Sequence, residues 1–141
     1  MHKIVSLGMI KAEELRIGNY ILDDENKIVK VECIESKYFN DYDGGNEFPI
    51  KFSDKDLNIK MCDIISCNGI LLSEGILLKC GFESGTDDVN HWWFTKGDIN
   101  INYSSWIGKF EWEWQDIEIQ YLHQLQNLYF SLTLTELQFK T

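Results

Sequence analysis

What this sequence lacks narrows its function before any motif is found. Proline occurs once, at Pro49, so the chain has no polyproline segment and no Pro-rich linker. No stretch of about 18 apolar residues occurs, so no helix is expected to span a membrane. Basic residues are scarce: 13 Lys and Arg stand against 23 Asp and Glu, for a net charge of −10. A chain of that sign repels phosphates, which disfavours direct nucleic-acid binding. The four cysteines (Cys33, Cys62, Cys67 and Cys80) form no CxxC pair. With His91 and His123 they are scattered, and no HxxxH or HExxH is present, so no metal site is expected.

The signatures of common chemistries are missing too. There is no GxSxG elbow to expose a nucleophile and no GxxxxGK[ST] or GxGxxG turn to cradle a phosphate. Asp41-x-Asp43-x-Gly45 begins like a calcium loop but lacks glycine and glutamate where an EF-hand needs them. Glu111, Glu113, Asp116 and Glu118 cluster, yet alternation puts the first two on a solvated strand face. No catalytic residue and no cofactor are assigned, and the expectation is a protein that is not an enzyme.

What is present suffices for a folded core. The 141 residues are 44% hydrophobic and 13% aromatic, which fits one domain. Met1–Gly8 reads as a leader too short and polar to be an export signal, and residues 9–141 read as a single domain. The thiols are expected to be reduced, mostly buried, and in a cytoplasm.

The pattern reads as α+β. Apolar runs at 16–22 and 27–34 flank Asp23-Asp24-Glu25-Asn26, the signature of an N-terminal β-hairpin. Residues 35–58 read as an exposed loop with a short strand near Pro49–Phe52, and 57–65 as a further strand. Ser73 caps a short helix that Gly81 stops, and Gly85-Thr86-Asp87-Asp88 reads as the next loop. Residues 91–95, 98–103, 109–114 and 117–121 alternate as strands with one buried face and one wet face, making a mainly antiparallel sheet. In the helix 121–132 the stripe 121, 122, 125, 128, 129 and 132 is expected to pack on that sheet, leaving His123 in a polar surface or capping role.

Two features point to a contact surface. The first is the far side of the C-terminal helix, which carries amides and no formal charge; it suits cover by other chain segments or by a partner. The second is a concentration of tryptophan at 92, 93, 106, 112 and 114. Neighbours in a strand face opposite ways, so one of Trp92 and Trp93 is expected near a surface unless both sheet faces are covered. Tryptophan is enriched in binding hot spots.

The blocks Lys11-Ala12-Glu13-Glu14-Leu15-Arg16-Ile17-Gly18-Asn19-Tyr20, Ile70–Glu74 leading to Leu77–Phe82, and Tyr121-Leu122-His123-Gln124-Leu125-Gln126-Asn127-Leu128-Tyr129-Phe130-Ser131-Leu132-Thr133 resemble a family of small phage- and prophage-encoded proteins of Gram-negative bacteria. Most members have no assigned function, so the resemblance implies an accessory phage gene and no catalytic residue. Anti-CRISPR inhibitors, including those of type VI RNA-guided RNases, are among the roles such a resemblance suggests. The expected partner is then a host defence protein with a basic surface, met in the cytoplasm of the bacterial host. Asp41, Asp43, Glu47, Glu111 and Glu113 would provide charge, and Trp92, Trp93 and Trp106 would anchor. The alternatives are a phage structural or assembly module that self-associates through the uncharged helix face, and a small-molecule or nucleotide binder.

Overall fold

Residues 10–34, 49–54, 56–112 and 117–140 are described by a computed structural model. They fall into two compact units, 1–70 and 71–141. The expected leader 1–8 and most of the acidic loop lie outside the described residues.

In the first unit, Ala12–Glu14 forms a 3-10 turn and precedes a tight corner at Gly18, where φ is 99°. The buried Asn19 closes that corner: its Oδ1 accepts the Arg16 N–H at 2.7 Å. The expected N-terminal hairpin follows as β1 (Tyr20–Leu22) and β2 (Ile28–Lys30), paired antiparallel from Tyr20↔Lys30 to Leu22↔Ile28. The second apolar run does not continue as one strand. After Val31 it passes into β3 (Cys33–Ile34), which joins β4 (Pro49–Ser53) and β5 (Ile59–Asp63) in a separate antiparallel sheet ordered β3-β4-β5. Pro49 opens β4, a place where its missing N–H is tolerated. Ile21, Val31, Ile50, Phe52, Cys62 and Cys67 are among the residues of one buried apolar core.

The second unit opens with α1 (Glu74–Lys79). Ser73 Oγ accepts the Ile76 N–H at 3.2 Å, the expected cap. At the other end Gly81 has φ 90° and its N–H bonds Leu78 O, while the Phe82 N–H bonds Leu77 O. This paired closure satisfies the free carbonyls of the last turn. Five strands then form an antiparallel meander: β6 (Glu83–Asp88), β7 (His91–Lys96), β8 (Ile99–Ser104), β9 (Lys109–Trp112) and β10 (Ile117–Glu118), in the order β10-β9-β8-β7-β6. The fold class is α+β, with mainly antiparallel sheet and one longer C-terminal helix, α2 (Leu122–Thr133).

Two expectations are corrected here. Residues 85–88 are not a loop but the end of β6, an edge strand in register with β7 from Glu83↔Thr95 to Thr86↔Trp92. Its sequence has no apolar alternation because the strand takes its order from the backbone ladder of β7 and exposes most of its side chains. The second correction concerns α2. Its buried residues are Leu122, His123, Leu125 and Gln126, so the covered face is turned from the expected stripe toward His123 and Gln126, and Leu132 is exposed. His123 therefore has no surface role: it is fully buried, with its ring stacked on Tyr121 at 5.6 Å. The capping falls to Gln124, whose Oε1 accepts the N–H groups of Gln120 and Tyr121 at 2.9 and 3.1 Å.

Candidate functional site

The hairpin turns of the first unit share one construction. In Asp23-Asp24-Glu25-Asn26-Lys27, Asp23 Oδ1 accepts the N–H groups of Glu25 and Lys27 at 2.8 and 2.9 Å, and Asn26 sits at φ 62°. In the turn from Asp54 to Asn58, Asp54 Oδ1 accepts the N–H groups of Asp56 and Asn58, both at 2.9 Å, and Leu57 sits at φ 66°. The main chain closes identically, through Asp23 N–H to Lys27 O and Asp54 N–H to Asn58 O. An aspartate that bonds its own backbone, followed by a left-handed residue, is a self-contained turn. The Asn58 N–H is the largest influence holding the Asp54 carboxyl below its ordinary value; partial desolvation opposes it, and the Asp56 N–H and Lys60 assist.

Both turns border one groove of about 530 Å³. Its carboxylates are Asp23, Asp24, Glu25, Asp54 and Asp56, against the ammonium groups of Lys27 and Lys60. Asp23 is buried and occupied by its turn, whereas Asp24, Glu25 and Asp56 are exposed. Ile28 and Met61 supply exposed apolar surface in the same groove. The arrangement can attract and hold a cationic group; at its border the Ser53 hydroxyl donates to Glu32 Oε1 at 3.0 Å.

In the second unit the sheet separates the residues expected to act together. The cross-strand row Trp92–Tyr103–Phe110 lies on the face that also buries Phe94 and Ile101. With Leu72, Ser73 and Glu74, these aromatics line a cleft of about 410 Å³. Trp93 and Glu111 lie on the opposite face in the row Gly85–Trp93–Asn102–Glu111–Glu118. Both Trp92 and Trp93 are half-buried. Glu111 is half-buried beside Glu118, which pairs with Lys109 at 3.7 Å. Asp41, Asp43, Glu47 and Glu113 lie outside the described residues.

Trp106 is the most exposed of the predicted anchors, at 81%. It stands in the β8–β9 turn, where its N–H bonds Ser104 Oγ at 3.2 Å and Gly108, at φ 73°, takes the left-handed position. Ser105 ties this turn to the β6–β7 turn: its N–H bonds Asn90 O and its Oγ meets Asn90 Oδ1, both at 2.9 Å. The linked turns carry Val89, Trp106 and Ile107, three exposed apolar side chains at one end of the sheet.

Sequence reasoning missed Val89 and Ile107 as companions of Trp106, because the bond that joins their turns spans fifteen residues. It also missed that Asp24, Glu25 and Asp56 line one groove. The available signal was the recurrence of an aspartate four residues before Lys27 and before Asn58. Among the described residues no cluster of three or more His, Cys, Asp or Glu could hold a metal ion, and no helix is long and apolar enough to cross a membrane. Comparison with known proteins finds no matching family model, no matching curated protein and no matching solved structure.

Proposed function

We propose that this protein works by binding a macromolecular partner with a basic surface and performs no catalysis. The observation that carries this reading is the groove of the first unit, where two turns of one design gather five carboxylates against two lysines. Turns that satisfy their own backbone leave the exposed carboxylates of Asp24 and Asp56 turned to solvent, with Glu25 in an exposed pair with Lys27 at 3.3 Å that a partner's cation can compete for. Carboxylates so placed accelerate encounter with a positive surface and select against negative ones. Residence comes from apolar anchors that lose water on contact, and the Val89–Trp106–Ile107 tip provides them. The sequence resemblance makes the partner a bacterial defence protein, an RNA-guided nuclease among the candidates, and the setting the host cytoplasm.

The test is affinity capture from a bacterial lysate with the wild-type chain and with an Asp24→Lys, Glu25→Lys, Asp56→Lys variant, followed by association kinetics with the recovered partner. The wild type retains a protein that the variant loses, and its association rate falls as salt is raised from about 50 to 300 mM. Equal capture by both chains, with a rate indifferent to salt, overturns the reading.

A further inference from the structure

Cys62 and Cys67 are brought together by a device the groove does not use. Cys62 lies near the end of β5 and points into the core opposite Ile50. The chain then makes a 3-10 turn over Ile64–Ser66, and the Cys67 N–H bonds back to Ile64 O. The turn places the two buried sulfurs 2.6 Å apart, well inside van der Waals contact, while the cysteines are free. The next residue, Asn68, exchanges two backbone hydrogen bonds with Leu22 at the end of β1. A bond between the sulfurs would close a short loop over 62–67, directly before the Asn68–Leu22 pair that joins this segment to the N-terminal hairpin.

We propose that Cys62 and Cys67 are a modification site, a dithiol converted to an intramolecular disulfide by a peroxide. The Cys62 thiolate attacks one peroxide oxygen and the other leaves as hydroxide, which gives a sulfenic acid. Cys67 sulfur then attacks that sulfenic sulfur, the S–O bond breaks, and water leaves with the Cys67 proton. In sum, two thiols and one hydrogen peroxide yield one disulfide and two waters, with two electrons passing from sulfur to peroxide. Cys62 is the attacking sulfur because it is the less deeply buried of the two; burial raises its thiol, and a hydrogen bond from the adjoining Cys67 thiol offsets part of that rise. A shared soft metal ion would need both groups as thiolates. Among the described residues no third His, Cys, Asp or Glu joins the pair to complete such a site, whereas the disulfide is neutral and suits the apolar core. In a reducing compartment the pair rests as thiols and responds to oxidative challenge.

The test treats the full chain with excess hydrogen peroxide, quenches it, unfolds the protein and alkylates the remaining thiols. The expected product has lost two hydrogens. In its tryptic peptide 61–79 both cysteines escape alkylation, Cys33 and Cys80 are labelled as before, and dithiothreitol restores all four. Cys33→Ser and Cys80→Ser variants still form the bond, and Cys67→Ser does not. Because the oxidised wild type carries the decisive readout, a variant that fails to fold leaves the test intact. The disulfide form melts higher by roughly 5 °C. Full alkylation of Cys62 and Cys67 after peroxide, bonding of either to Cys33, Cys80 or another molecule, or a melting point that does not rise each overturns the proposal.

Discussion

At the scale of single residues, backbone sign matters more than side-chain type in two exposed leucines. Leu57, 82% exposed, and Leu134, which ends α2, hold φ at 66° and 59°. A Cβ in the left-handed region costs about 1–2 kcal/mol, and glycine escapes that cost at some loss of unfolded-state entropy. Leu57→Gly and Leu134→Gly are each expected to stabilise the chain by about 0.5–1 kcal/mol, read as a higher urea midpoint. The Asp54 carboxylate gives a pH signature. Its folded value lies below the ordinary 3.8, so its ionised form contributes stability above that value, and the contribution disappears as pH falls through the folded one. The gap in urea midpoint between wild type and Asp54→Asn should be widest near neutrality and close in acid.

At the scale of elements, the edge strand β6 shows how a sequence without alternation becomes a strand. Gly85 faces Trp93 across the ladder, and a Cβ there would come within 2.5 Å of the indole Nε1 and 3.0 Å of Cε2. The glycine leaves room for the indole to lie over the strand backbone. Gly85→Ala should cost about 1–3 kcal/mol and shift tryptophan emission as the ring is displaced; an unchanged spectrum and midpoint would show that the indole has another place to rest. The caps of α1 were legible because they depend on neighbours in sequence. Ser73→Ala should remove about 1 kcal/mol through the lost Ile76 bond, measured by thermal melting. The edge strand was not legible, since its partner supplies the order. The covered face of α2 was legible only in part: its uncharged far side already suited cover, but that His123 and Gln126 in particular are sealed is set by the segments packed on them.

At the scale of the whole molecule, charge and apolar contact are carried by different elements. The acidic groove belongs to the β-hairpins of the first unit and the exposed Trp106 tip to the meander of the second. A Trp106→Ala, Ile107→Ser variant removes exposed surface only, so its stability should stay within about 0.5 kcal/mol of wild type while a captured partner dissociates faster. Unchanged dissociation would assign the anchoring elsewhere. The acidic variant should instead slow association, so the two surfaces separate kinetically.

Local sequence specifies the α+β class, the first hairpin, both termini of α1, the strands β7 to β9, the start of β10 (which ends at Glu118 and not at 121) and the approximate span of α2. Each rests on short-range periodicity, turn chemistry or capping, which act between residues a few places apart. Only the tertiary structure settled which neighbours Trp92 and Trp93 meet on their opposite faces, that Asp24, Glu25 and Asp56 border one groove, and that Val89 joins Trp106. It also decided that Cys62 and Cys67 touch. These depend on strand register and on turns meeting in space, and the distances that define them are fixed by the pairing of whole elements.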